Sequence, residues 1–125
     1  MPGFIPHFIA GNAMFLIGSY VIQNHTSLEL TKKKHVLFYL ICIATSIIPD
    51  FPLALYYAFH IGSYELLVQP HATLHYIISP LAVVFFITLN FIFPVKNKPI
   101  WIFGILCILL HIILDSFIQE TGIWI

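Results

Sequence analysis

Four apolar runs, each close to the length that a bilayer requires, dominate the sequence. The membrane spans that they predict cover residues 5–22, 36–59, 73–93 and 100–118 of the 125-residue chain. A helix needs about 20 apolar residues to cross the hydrocarbon core of a membrane. Only 8% of the residues are charged, whereas about 25% are charged in an ordinary soluble domain. The sequence therefore predicts an all-α, polytopic membrane protein, a four-transmembrane-helix bundle that forms a single membrane domain.

The second apolar run is interrupted by the segment Ile48-Pro49-Asp50-Phe51-Pro52. Proline has no N–H and breaks the helical hydrogen-bond ladder, which leaves carbonyl groups without their usual partners. Inside a membrane such groups must be satisfied by neighbouring protein. We therefore expect this break to face the interior of the bundle. In the first run, Gly11 and Gly18 lie on one helix face and predict close helix packing.

The basic residues are all lysines, and they fall in two of the three connections between spans. Lys32, Lys33 and Lys34 follow the first span, and Lys96 and Lys98 follow the third. The positive-inside rule places such loops in the cytoplasm. We therefore expect a protein of the cell (inner) membrane, surrounded by lipid, with both termini on the non-cytoplasmic side. The absence of arginine and of a broad basic face argues against nucleic acid as a partner.

Ionisable side chains also occur in or beside the apolar runs, where a charge is costly and marks a functional site by default. They are His7, Asp50, His71, His75, His111 and Asp115. Four residues separate His71 from His75, so both lie on one helix face, and His111 and Asp115 have the same spacing. Counted from the lysine side, Asp50 and Asp115 lie about 21 Å and about 22 Å along their helices. The lysine-derived topology thus places all six side chains in the non-cytoplasmic third of the bilayer.

This residue set predicts a metal site. Imidazole and carboxylate are ligands suited to zinc and other first-row divalent metals. We therefore interpret all six residues as candidate ligands of a divalent cofactor, zinc in the first place and manganese in the second. A bound metal lowers the pKa of its water to about 7 and thereby supplies hydroxide for hydrolysis. Asp50 and Asp115 are accordingly also candidate catalytic residues.

Other polar and aromatic residues are interpreted as structural or solvated. Among the histidines and acids these are His25, His35, His60, Glu65 and Glu120. Cys42 and Cys107 show no metal-binding spacing and are predicted to be buried thiols that act as small apolar side chains. Trp101 and Trp124 are expected near opposite membrane interfaces.

The chain resembles, over nearly its whole length, the YdjM-type (LexA-associated) inner-membrane metal-dependent hydrolases. The resemblance is carried by Pro6-His7…Gly11, Ile48-Pro49-Asp50, His71-Ala-Thr-Leu-His75 and His111-Ile-Ile-Leu-Asp115-Ser…Thr121-Gly122. The order of these residues is also distantly similar to the ligand order of zinc-dependent phospholipase C. By that likeness one zinc would be held by Asp50, His71 or His75, His111 and Asp115, and another by His7 with Asp115. The resemblance implies hydrolysis of a phosphoester, with a lipid headgroup as a candidate substrate.

Two differences from the family pattern support an alternative function. The family commonly has a second acid two residues after Pro-Asp, where this chain has Pro52. Its His-Arg-Gly…Thr-His pattern is reduced here to His71-Ala-Thr-Leu-His75. The alternative is a non-catalytic membrane subunit with a structural or relic metal site, bound to a membrane-protein partner or to further copies of itself. A second alternative is a haem- or ion-binding helical bundle with His75 and His111 as facing ligands.

Overall fold

The computed structural model describes residues 4–93 and 97–117, and every regular element in this part of the chain is helical. The helices are α1 (Phe4–His25), α2 (Lys32–Ile47), α3 (Phe51–Phe59), α4 (Tyr64–Thr73), α5 (Ser79–Ile92) and α6 (Lys98–Phe117). Four stretches are long and apolar enough to cross a membrane: Ile5–His25, Lys32–Tyr57, Tyr64–Ile92 and Lys98–Asp115. These stretches confirm the predicted all-α fold with four helices of membrane-spanning length.

Two of these stretches are not continuous α-helix. A 3₁₀ turn, Ile48–Asp50, joins α2 to α3 at the proline-containing break. A π-helical turn, Leu74–Ile78, joins α4 to α5. Single π-turns inside α-helices occur frequently at functional sites. Both irregular turns hold residues that the sequence marks as candidate ligands, Asp50 in the first and His75 in the second.

The helices α3 and α4 form a hairpin at one end of the bundle. The helix α3 ends at Phe59, and His60 follows it in the left-handed conformation (φ 54°), which lets the N–H of Ile61 reach back to the carbonyl oxygen of Leu55 at 2.9 Å. Ser63 then caps α4, because its hydroxyl oxygen accepts a hydrogen bond from the N–H of Leu66 at 3.3 Å. With this cap, α4 begins at Tyr64. The sequence predicts that the third span begins at residue 73, so helical structure starts nine residues earlier than the predicted span.

The helix α6 packs against α1, α2 and α5, and α1 also packs against α2. The approach of α1 to α2 is close at Gly11, where an added Cβ atom would lie 3.0 Å from Ser46 Oγ and 3.1 Å from the Cys42 carbonyl oxygen. Gly18 lies directly against the rings of Phe38 and Phe103. Both glycines therefore serve the close packing that their spacing predicts.

The core of the bundle is small and lies around residues of α1, α2 and α6. Its buried side chains include Ile22, Phe38, Cys42, Ile100 and Cys107. The two cysteines are buried free thiols within this core, as predicted. Trp101 is half-buried and stacks on Phe86, with ring centroids 6.2 Å apart. Many large apolar side chains remain exposed on the outside of the bundle, which is the surface that a bilayer would cover.

Candidate metal centre

The six candidate ligands come together at one end of the bundle. His7 lies near the start of α1, Asp50 ends the 3₁₀ turn, and His111 and Asp115 lie near the end of α6. His71 lies near the end of α4, and His75 lies in the π-helical turn. The first lysines of α2 and α6 stand at the opposite ends of those helices. Elements distant in sequence thus supply one cluster of imidazoles and carboxylates, which we call the His/Asp cluster.

His111 is oriented by a backbone hydrogen bond. Its Nδ1 lies 2.9 Å from the carbonyl oxygen of Ser46, and because a carbonyl oxygen only accepts, Nδ1 carries the hydrogen. The other ring nitrogen, Nε2, lies 3.3 Å from Asp115 Oδ2 and 3.4 Å from His75 Nε2. Two acceptor atoms in contact require a proton or a cation between them. Imidazoles that bind metals are typically held in this way, by a carbonyl group on the far nitrogen.

Asp50 lies at the centre of the cluster. Its Oδ1 lies 3.0 Å from His75 Nε2, and its Oδ2 lies 3.0 Å from His7 Nε2. His7 Nε2 also lies 3.1 Å from Asp115 Oδ1. Each oxygen of Asp50 therefore faces a different histidine, and both of these imidazoles, those of His7 and His75, also contact Asp115.

The ligand atoms form two overlapping groups. One contains His7, Asp50, His111 and Asp115, and the other contains Asp50, His71 and His75; within each group the ligand atoms lie within 4.8 Å of one another. Tetrahedral ligands about 2.0 Å from a metal lie about 3.3 Å apart. In the first group, the separations between His7 Nε2 and Asp50 Oδ2 (3.0 Å) and between His111 Nε2 and Asp115 Oδ2 (3.3 Å) are close to that value, whereas His111 Nε2 and Asp50 Oδ1 lie 4.0 Å apart. Asp50 is shared by both groups.

His71 has a backbone partner as well. Its Nδ1 donates to the carbonyl oxygen of Pro49 at 3.1 Å, so its lone pair is on Nε2. That nitrogen is buried and has no hydrogen-bond partner in the described part of the chain. Sequence reasoning missed the carbonyl groups of Ser46 and Pro49 as orienting groups. The available signal was their position at the end of α2 and in the proline-containing break that follows it, where carbonyl groups lose their helical partners.

The charge of the cluster also fits a cation. Among the described residues, every ion-pair partner of the Asp50 and Asp115 carboxylates is a histidine, and none is a lysine. Asp50 Oδ2 and Asp115 Oδ2 are buried without an aligned hydrogen-bond donor in that part of the chain. Buried carboxylates without a counter-charge are costly at membrane depth. A divalent cation would balance both charges, so the residues present fit a metal.

The residues interpreted as structural or solvated lie outside the cluster. His25, His60 and Glu65 are exposed, and the ring of His35 meets Phe15 edge-on with centroids 5.1 Å apart. Other sequence predictions fall outside the described residues. These concern Lys96, Glu120, Thr121, Gly122, Trp124 and the end of the fourth span at residue 118.

Comparison of the chain with protein-family models, with curated proteins and with solved structures gave no significant match.

Proposed function

We propose that the protein is a membrane-embedded, metal-dependent hydrolase that cleaves a phosphoester at the non-cytoplasmic face of the cell (inner) membrane. The observation that carries the proposal is the contact between His111 Nε2 and Asp115 Oδ2 at 3.3 Å, with Nδ1 of the same ring held by Ser46. Two acceptors held face to face suit a shared cation. The resemblance to the YdjM-type hydrolases supports the choice of hydrolysis, and that to zinc-dependent phospholipase C supports a phosphoester.

The residues of the cluster have distinct roles in this proposal. His7, Asp50, His111 and Asp115 would hold zinc, or manganese in its place, and the metal would act as a Lewis acid that activates water. The carbonyl oxygen of Ser46 keeps the His111 ring in the orientation that ligation needs. The Asp50 side chain is 1% exposed and the Asp115 side chain 13%. Asp50 therefore suits a fixed ligand, whereas Asp115 is the carboxylate better placed to exchange protons with substrate and solvent.

The test is a metal measurement joined to an activity assay. Protein purified in detergent with zinc supplied is expected to retain near-stoichiometric metal by elemental analysis. His111→Ala should lower metal affinity by about tenfold or more, and His60→Ala, at an exposed histidine outside the cluster, should not. Hydrolysis of a chromogenic phosphodiester should follow the metal content of these variants. A folded, metal-free protein that His111→Ala leaves unchanged would contradict the proposal.

The second candidate is a non-catalytic membrane subunit whose metal holds the helices together. Pro52, at the position of the family's second acid, is buried in the first turn of α3 and supplies no carboxylate. This candidate predicts that the protein retains metal, turns over no phosphoester with zinc or manganese, and co-purifies with a fixed partner or with another copy of itself.

A haem-binding bundle has less support from the geometry. The Nε2 atoms of His75 and His111 lie 3.4 Å apart, and Asp115 contacts both imidazoles. This spacing suits a small cation and leaves no room for a porphyrin ring between the two histidines. A visible absorption band in the purified protein would reverse this preference.

A further inference from the structure

His71 and His75 lie four residues apart on the segment formed by α4 and the π-helical turn. Both belong to the second group of candidate ligands, together with Asp50, and their ring centroids lie 4.4 Å apart. A histidine binds a metal through a ring nitrogen that presents a lone pair, while the other nitrogen carries the hydrogen. The partners of each ring nitrogen therefore distinguish a ligand from a neighbour of the metal site.

His75 has the contacts expected of a ligand. Its Nε2 lies 3.0 Å from Asp50 Oδ1 and 3.4 Å from His111 Nε2. Both separations are close to the value of about 3.3 Å between tetrahedral ligands. Its Nδ1 lies 3.3 Å from Asp115 Oδ2. His75 thus contacts both carboxylates and a second imidazole of the His/Asp cluster.

His71 approaches the cluster with the nitrogen that cannot bind a metal. The ring nitrogen at ion-pair distance from Asp50 is Nδ1, which lies 3.9 Å from Oδ1. The same Nδ1 lies 3.1 Å from the carbonyl oxygen of Pro49. Because a carbonyl oxygen only accepts, Nδ1 carries the hydrogen and has no free lone pair. The lone pair is on Nε2, which is not the nitrogen that approaches Asp50.

The bond from His71 holds the turn that carries a central ligand. Pro49 directly precedes Asp50 in the 3₁₀ turn Ile48–Asp50. Prolines at this break interrupt the helical hydrogen bonds, and a carbonyl group freed inside a membrane needs a partner from neighbouring protein. His71 supplies that partner from the end of α4, and its ring also contacts the ring of His75. One buried imidazole therefore supports both Asp50 and His75.

We propose that His75 is a metal ligand and that His71 is a positioning residue, which fixes Asp50 through the Pro49 carbonyl group and fixes His75 through ring contact. The inference rests on the metal site of the proposed function. It adds His75 to the ligands named there and removes His71 from the candidates. The group formed by Asp50, His71 and His75 then contributes two ligands, and His111 lies beside them.

The experiment compares variants of equal size that differ in their donors. Asparagine carries an amide N–H near the position of the histidine Nδ1 and can donate to the Pro49 carbonyl oxygen, whereas leucine cannot. Each variant is purified in detergent and loaded with cobalt(II), whose visible spectrum changes with the set of ligand atoms. The two readouts are cobalt retained per protein and the positions of the visible bands.

His71→Asn should retain cobalt like the unmodified protein, with the same bands. His71→Leu should weaken cobalt binding by about tenfold, as loss of a group that orients a ligand does, and should leave the bands in place because the ligands are the same. His75→Asn should weaken binding by about tenfold or more and shift the bands, since a nitrogen ligand is lost. His60→Asn, at an exposed histidine outside the cluster, is the matched control and should change neither readout.

Opposite results would make His71 a ligand. These are a cobalt loss in His71→Asn as large as that in His71→Leu, or a band shift in a His71 variant equal to that in His75→Asn. His71 borders a cavity of about 240 Å³ between α3 and α4, so the smaller asparagine displaces no neighbour. If His71→Leu does not fold, His71→Asn and His75→Asn still decide, because they carry the same substitution at the two positions.

The two proposals fail in different ways. Cobalt binding that follows the expected order, in a protein that hydrolyses no phosphoester, upholds the role of His71 and removes the hydrolase. Metal-dependent hydrolysis in a protein whose cobalt is lost in His71→Asn and kept in His75→Asn upholds the hydrolase and overturns the inference.

Discussion

The hydrogen bond from His111 Nδ1 to the carbonyl oxygen of Ser46 decides what the imidazole can do at the other end of the ring. Because Nδ1 carries the hydrogen, Nε2 presents a lone pair towards Asp115. The same logic applies to His71, whose Nδ1 is held by Pro49. At the scale of single residues, backbone carbonyl groups at the end of α2 and in the 3₁₀ turn that follows it therefore orient two histidines on other helices.

Asp50→Asn should affect the cluster more widely than any other single substitution. Asp50 belongs to both groups of candidate ligands, and asparagine keeps the size of the side chain while removing its charge. We expect metal affinity to fall by about tenfold or more, measured as zinc retained per protein during dialysis against a weak chelator. Glu29→Gln removes a carboxylate at an exposed position outside the cluster and should change nothing. Equal zinc retention by the two variants would contradict a central role for Asp50.

At the scale of elements, two irregular turns change the direction in which Asp50 and His75 leave the backbone, compared with regular α-helices. The 3₁₀ turn carries Asp50 into the interior of the bundle, where it contacts His7 and His75. The π-helical turn carries His75 and is closed by Ser79, whose hydroxyl donates to the carbonyl oxygen of Leu74 at 2.9 Å. Proline interrupts the α-helical hydrogen bonds in the first turn, and in the second the backbone N–H of Ser79 bonds the same Leu74 carbonyl oxygen as its hydroxyl.

Gly11→Val should separate α1 from α2 and thereby disturb the metal site from a distance. Its Cβ would lie 3.1 Å from the Cys42 carbonyl oxygen, which is backbone and cannot move aside easily. We expect a loss of about 1–3 kcal/mol in unfolding free energy, measured by denaturation in mixed micelles, together with weaker zinc binding. The zinc effect arises because His7, one turn earlier on the same face of α1, moves away from Asp50.

Ala13→Val provides the control for this substitution, since Ala13 lies on the exposed side of α1. It adds the two γ-methyl groups of valine to a Cβ atom that is already present, without meeting α2, so both stability and zinc binding should stay close to those of the unmodified protein. Equal losses in the two variants would show that the close approach at Gly11 does not position His7.

At the scale of the whole molecule, the lysines and the His/Asp cluster lie at opposite ends of the bundle. Lysines begin α2 and α6, and the His/Asp cluster lies at the other ends of these helices. If the lysine ends face the cytoplasm, as the positive-inside rule predicts, the cluster lies in the non-cytoplasmic leaflet. The proposed hydrolysis would then take place at that face of the membrane.

Cysteine labelling in intact cells tests this orientation. Ser27→Cys places a thiol in the connection between α1 and α2, and Glu65→Cys places one at the start of α4, both at exposed positions. Glu65→Cys should react with a membrane-impermeant maleimide in intact cells, and Ser27→Cys only after permeabilisation. The native Cys42 and Cys107 are buried and should contribute no background. The reverse pattern would place the cluster on the cytoplasmic side.

The helical class, the four long apolar helices and the six candidate ligands could be predicted from the sequence, because each depends on a local property. Hydropathy over about 20 residues marks a span, and an ionisable residue within such a span is conspicuous by itself. The start of α4 at Tyr64 was harder to predict, because it depends on the capping hydroxyl of Ser63 rather than on hydropathy.

The sequence by itself thus determined which residues could form a metal site and at which end of the bundle they lie. Only the tertiary structure decided that Asp50 lies between the two ligand groups, that the carbonyl groups of Ser46 and Pro49 orient two imidazoles, and that a cavity opens beside His71. The physical reason is that spacing along a helix defines a face, whereas the direction of a ring or a carboxylate depends on hydrogen bonds and packing between helices. These contacts join residues far apart in the chain, and no local pattern encodes them.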